Sequence, residues 1–270
     1  MLSETIERIE NLPGPLYDLD LARSGAWIGV TEQGDCQSLS FTGRIVALPQ
    51  HCRFPCVRAI DADTAVIIDT RTGWQEKNAW IVTSLGETKS HFYAGDAVQN
   101  VLASSEYIVV TYFDESALTS PGIEGNGVAV FSSAGEFLFG YSDSLGEEAV
   151  EVADCYAACW HGRRSVLFYP YTEFPLVLLD LNERTQRVWE SPGEVTGSSA
   201  ITAVGDVVFF HGPYKDKSGV YAWKIGSNVA ERIGQYPTPL RGLPLGRFIA
   251  VGKEGYTIIS AAESSLPQSK

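Results

Sequence analysis

Sulfur, positive charge and long apolar runs are all scarce in this chain, and each shortage excludes something. Five cysteines and one methionine occur in 270 residues. An odd, sparse set of cysteines does not make a disulfide scaffold, and free buried thiols in a reducing cytoplasm are the expectation. No stretch approaches the roughly 18 apolar residues of a membrane span, so no membrane helix is expected. Residues 1–8, MLSETIER, have neither the basic start nor the apolar core of a secretory signal, and no Asn-x-Ser/Thr sequon occurs. Lys and Arg number 20 against 33 Asp and Glu, a formal net charge of −13. Nucleic acid is therefore a poor partner, because phosphate binding needs clustered cations. A basic protein is compatible with this charge, which also serves simply to keep a protein soluble. A Gly-x-Ser-x-Gly elbow and a Walker-type loop are both missing. The four histidines, at 51, 91, 161 and 211, are scattered, with His211 placed to reach a loop at the end of an apolar run.

What is present is a repeat of about 44 residues. A short apolar stretch recurs six times, at 26–30, 64–68, 107–111, 165–169, 206–210 and 247–251. Successive starts are 38, 43, 58, 41 and 41 residues apart. Short apolar strands at such a period predict the blades of a β-propeller. Each repeat reads as four strands, a to d. The apolar stretch is strand b, a second run such as 79–83 or 176–180 is strand c, and a tight turn such as Thr42-Gly43 or Ala134-Gly135 leads into strand d. The sixth repeat lacks strand d and ends in a tail over 261–270. Residues 5–13, TIERIENLP, match the pattern of 229–237, VAERIGQYP. Residues 4–12 are therefore expected to complete the last blade, with Ile6 and Ile9 buried, and to leave no open radial edge. The competing reading, a helix capped by Ser3, lacks its capping box because Ile6 holds the position that needs Glu or Gln.

The segment Leu176–Trp189 resembles the c–d hairpin of WD-repeat propellers, and Val128–Gly140 resembles that of NHL-type repeats. The likeness extends over nearly the whole chain and is to the β-propeller superfamily rather than to one family. There is no Trp-Asp dipeptide, Gly-His pair, kelch double glycine or Tyr-Trp-Thr-Asp. Similar six-bladed proteins include lactonases, phytases and purely protein-binding rings, so fold alone does not choose a function.

Topology says where a site belongs. In a four-stranded meander the d–a and b–c connections share one face. The c–d turns are tight, whereas the b–c loops at 70–78, 113–126 and 212–219 are long and irregular. Loops on a rigid scaffold are where binding usually sits. Trp74, Phe113, Tyr171, Phe174 and Tyr214 are the candidate aromatic anchors, and Asp114, Glu115 and Glu124 the candidate acidic rim. Polar residues of the a strands include Asp18, Asp20, Arg58, Gln99, Asn100, Asp154, Thr202 and Arg241. Resemblance to lactonase-type propellers implies that Asp18, Asn100 and Asp154 would hold calcium or another divalent metal. Arg58 and Arg241 in the same region argue against a cation. The pairs Cys52/Cys56 and Cys155/Cys159 lie about 13 Å apart on a strand, too far to share one zinc or to form a disulfide. Asp61-Ala-Asp63 lacks the rest of a calcium loop and reads as an a–b turn.

The expectation is an all-β, six-bladed propeller, a single domain over 1–270, closed by its N-terminal strand. It is a cytoplasmic, monomeric, non-catalytic module without a cofactor. It would engage a protein through the face bearing the b–c loops, with a basic partner favoured. An inhibitor or immunity-like protein is one concrete version. The alternative is a metal-dependent hydrolase with its site in the central channel.

Overall fold

The structure, a computed structural model, describes residues 2–34, 36–73, 75–114 and 122–261. It is a six-bladed β-propeller of four-stranded antiparallel sheets. The first strand, β1 (Ser3–Arg8), belongs to the last blade. Blade 1 follows with β2 (Leu16–Leu21), β3 (Trp27–Gln33), β4 (Cys36–Phe41) and β5 (Arg44–Ala47). Blade 2 comprises β6 (Pro55–Ala59), β7 (Thr64–Asp69), β8 (Ala79–Thr83) and β9 (Thr88–Phe92). Blade 3 comprises β10 (Val98–Ala103), β11 (Tyr107–Tyr112), β12 (Val128–Ser132) and β13 (Phe137–Gly140). Blade 4 is built from β14 (Asp154–Trp160), β15 (Ser165–Tyr171), β16 (Leu176–Asp180) and β17 (Thr185–Trp189). Blade 5 is built from β18 (Ala200–Val204), β19 (Val207–His211), β20 (Gly219–Lys224) and β21 (Glu231–Gln235). Blade 6 runs β22 (Arg241–Leu243), β23 (Arg247–Gly252), β24 (Gly255–Ser260) and then β1. The chain forms two compact groups, one built on blades 1–3 and including residues 251–255, the other built on blades 4–6 and including the residues up to Glu7.

The apolar b strands are continuous rather than alternating because both of their faces are covered. In β7, Ala65 and Ile67 pack toward blade 1 with Ile28, Val30, Leu39 and Phe41. Val66 and Ile68 pack toward blade 3 with Val101, Ile108, Val110 and Phe131. In β19, Val208 and Phe210 join Leu167, Tyr169 and Leu176 of blade 4, while Phe209 joins Phe248 and Ile259 of blade 6. Each such Val, Leu, Ile or Phe side chain, taken fully out of water, contributes about 1.5–3 kcal/mol. The outer strands have less to pack against, and most of the residues of β5, β17 and β21 are exposed or half-exposed.

The N-terminal strand closes blade 6 beside β24, as the pattern match predicts. Its side chains do not behave as expected. Ile6 is 76% exposed and Ile9 only half-buried. An outermost strand is anchored by its backbone ladder, and the apolar contact comes from Leu2, which lies against Gly234. Ile9 N–H donates to the Glu254 carbonyl at 2.9 Å, and Arg8 pairs with the Glu254 carboxylate at 2.9 Å in the open. All five cysteines are free. Burial pushes the Cys159 thiol up to about 12, and burial with the nearby Asp69 charge does the same for Cys52, so neither is a ready nucleophile. Among the described residues no helix is long and apolar enough to cross a membrane.

Candidate functional site

Three inner strands carry a register shift at their loop-proximal ends. It falls between Leu16 and Asp18, between Val98 and Asn100, and between Cys155 and Ala157. The extra residues are Tyr17, Gln99 and Tyr156. A bulge bends the strand and re-aims the side chain it carries. Period-2 reading cannot see such an insertion, and the sequence pattern does not single out Tyr156.

In blades 4 and 5 Tyr156 is the hub of an aromatic cluster. Its ring stacks on Tyr171 at 6.3 Å between centroids and meets Phe174 edge-on at 5.0 Å and Tyr214 edge-on at 5.9 Å. Phe174 also contacts Tyr171, Tyr169 and Tyr214 at 5.3–5.7 Å. The Tyr156 and Tyr214 hydroxyls are hydrogen-bonded to each other. Burial, then this bond and the charge of Asp154 among other neighbours, raise the Tyr156 pKa. Lys217 places its ammonium 4.8 Å above the Tyr214 ring. Tyr171 and Tyr214 stay 41% and 44% exposed. Phe174 is buried, a correction to its reading as a surface anchor: it is the floor that holds the tyrosines. The 212–219 loop is fixed by Asp216, which accepts from Arg232 Nε at 2.7 Å and Tyr221 Oη at 3.2 Å. These bonds hold the Asp216 carboxyl below the usual range.

In blades 2 and 3 the loops meet through charge. Arg71 Nε donates to Asp96 Oδ1 at 3.2 Å, which also accepts from Thr72 N–H at 2.8 Å. The Arg71 guanidinium lies 5.4 Å from the Phe113 ring centre. The loops beginning at 70 and 113 are thus adjacent, with Phe113 half-buried and Asp114 exposed. Glu124 is not on the rim. It is buried, accepting from Tyr93 Oη and from Asp96 N–H, because a one-turn 3-10 helix over Ile123–Asn126 turns it inward. Trp74 and Glu115 lie outside the described residues. His211 does not reach a loop surface either. It is buried, its Nε2 bonded to the Tyr236 carbonyl at 3.0 Å, and its Nδ1 has no partner.

Several inner-strand polar residues act as structural ties. Arg58 is buried and donates to Asp18 Oδ2 at 2.6 Å and to the Val101 and Val57 carbonyls, linking the inner strands of blades 1, 2 and 3. Asp18 also accepts from the backbone N–H groups of Leu19 and Val57 at 2.8 and 2.9 Å. Burial works against the charged guanidinium, but Asp18, Cys56 and Asp20 together more than offset this and raise the Arg58 pKa. Asp20 accepts from Ala59 N–H at 3.0 Å, and Asn100 Nδ2 donates to Thr111 Oγ1 at 3.0 Å. Asp154 begins β14, half-buried. Asp18 is thus held by a guanidinium and two amides. Among the described residues no group of three His, Cys, Asp or Glu side chains is placed to share one. Asp61 and Asp63 form a turn, Asp63 N–H donating to Asp61 Oδ1 and Ser84 Oγ to Asp63 Oδ1.

No family model and no curated protein matches the chain. Solved structures do. The WD40 repeats of RRP9 align with a TM-score of 0.61 at 12% identity, over 94% of this chain and 97% of that one. A streptogramin B lyase aligns with a TM-score of 0.57 at 10% identity, over 96% and 97%. Virginiamycin B lyase from Staphylococcus aureus gives 0.56 at 11% identity, over 96% and 99%. WD40 repeats and lyases resemble it about equally, and at these identities the likeness establishes the β-propeller fold alone.

Proposed function

We propose that this chain is a non-catalytic propeller binding module that engages a protein partner through its b–c loops. The observation that carries the reading is the cluster of Tyr156, Tyr171, Phe174 and Tyr214. It presents two tyrosines, each two-fifths exposed, on a buried aromatic floor. Tyrosine offers large rigid contact area with a polar tip, the usual chemistry of interface anchors. The WD40 likeness is consistent with such a role. Asp114 and the net charge of −13 favour a basic partner, and an inhibitor or immunity-like protein would fit that description.

The test is site-specific photocrosslinking in the native host, with the probe at Tyr171 or Tyr214 and a control probe at Leu85, exposed at the tip of a c–d turn. One defined adduct from the loop positions and none from Leu85 supports the reading. Equal labelling at all three positions contradicts it.

A further inference from the structure

The connection from β5 to β6 and the β7–β8 loop line an open cavity of about 610 Å³ that shares no residue with the tyrosine cluster. Its wall carries three cations, Arg53, Arg71 and Lys77, beside Phe54 and Trp80, on a chain with only 20 Lys and Arg. We propose that this cavity is an oxyanion-binding site for a phosphoryl or carboxylate group carried on an aromatic body.

The carboxylate at its base is already committed. Asp69 Oδ2 accepts from Arg53 N–H at 2.7 Å and Oδ1 from Phe54 N–H at 3.0 Å. Those bonds fix the backbone at 53–54 and set the Arg53 guanidinium over the Phe54 ring, 5.1 Å from its centre. Asn78 is likewise engaged, donating to the Asp69 and Gly95 carbonyls and accepting from Ala94 N–H. Asp96 restrains Arg71. Neither Arg53 nor Lys77 has a carboxylate within ion-pair distance among the described residues, and Glu76 is the one other acidic group in the wall. The site therefore offers a planar guanidinium fork and an ammonium point charge, the two donor types that suit an oxyanion. Phe54, 39% exposed, supplies an apolar surface for the body that carries it. The volume falls in the range of small-ligand sites.

The experiment titrates phenyl phosphate and, separately, inorganic phosphate into the full chain at constant ionic strength, following amide and Arg Nε–H shifts by NMR. Saturable shifts confined to residues 50–54 and 69–80 are expected, with phenyl phosphate several-fold tighter than inorganic phosphate. The double variant Arg53→Gln/Lys77→Gln should weaken binding tenfold or more. Arg53→Lys should weaken it less. Arg8→Gln, at an exposed pair elsewhere, should leave it unchanged. Shifts that never saturate, or saturation that survives the double variant with its fold intact, would overturn the proposal. Equal affinity for the two probes would overturn the aromatic part of it. Because the probes are small anions, the outcome is independent of whether a protein partner is found.

Discussion

Blades 1–3 and blades 4–6 meet the same two demands with different chemistry. Inner strands must be tied between neighbouring blades, and loops must be held in place. In the first group an ion pair joins the inner strands, and Arg71, Asp96 and Glu124 organise the loops. In the second group the tie between β18 and β22 is a hydrogen bond from Thr202 Oγ1 to the Leu243 carbonyl, with Gly242 pressed against Ile201. Aromatic rings around Tyr156 organise the loops there. A propeller needs inter-blade contact but does not specify its type, so chemistry is free to diverge between blades.

The largest effect should come from the ion pair. Arg58→Met leaves Asp18 without its guanidinium and should cost about 3–5 kcal/mol in urea unfolding. Asp18→Asn together with Arg58→Met should recover a good part of that loss. A single-variant cost below about 1 kcal/mol would show that the pair is not what ties blades 1–3. In the other group the counterpart is Gly242→Ala. A Cβ there would stand 1.8 Å from the Ile201 carbonyl oxygen, a backbone atom that cannot swing away. A loss of about 1–3 kcal/mol is expected from overpacking, and an unchanged unfolding midpoint would break the comparison.

Tyr156→Ala should cost about 1–2 kcal/mol, through lost ring contacts and a loosened 212–219 loop. Tyr156→Phe, which keeps the ring and removes only the hydroxyl bond to Tyr214, should cost about 1 kcal/mol or less. Similar losses for the two would mean that the hydroxyl pair, not the aromatic packing, holds the cluster.

A smaller effect depends on pH. Burial lowers the His211 pKa below its ordinary 6.5, partly countered by its bond to Tyr236 and the nearby Asp216 charge. The folded state keeps the ring neutral where the unfolded chain takes up a proton. The contribution of His211 is therefore fully present above pH 6.5 and is lost as pH falls through the folded-state value. His211→Gln should flatten that part of the stability curve, and a curve of unchanged slope would assign the pH dependence to other groups.

The architecture was legible because its signal is a period. Six fully covered b strands must be apolar on both faces, and six such runs at nearly even spacing leave few alternatives. The closing strand was legible for a similar reason, since 5–13 repeats the pattern of 229–237. Burial in that strand was misread because Ile6 follows an alternation that matters only where a second layer covers the face. The candidate sites were less legible. Tyr156 reaches the aromatic cluster through a bulge, which has no sequence signature at this position. Glu124 looks like a rim acid until a 3-10 turn rotates it inward to Tyr93. Phe174 looks like an exposed loop aromatic but supplies the floor. Arg53 and Lys77 are distant in sequence and become neighbours of one cavity only when β6 and β7 pair.

The most direct test of the binding role compares loop variants against the partner captured by crosslinking, by equilibrium titration at two salt concentrations. Tyr171→Ala with Tyr214→Ala should weaken binding tenfold or more, with little dependence on salt. Asp114→Lys should weaken it less, by an amount that shrinks at high salt. Full affinity after both tyrosines are removed would contradict the account.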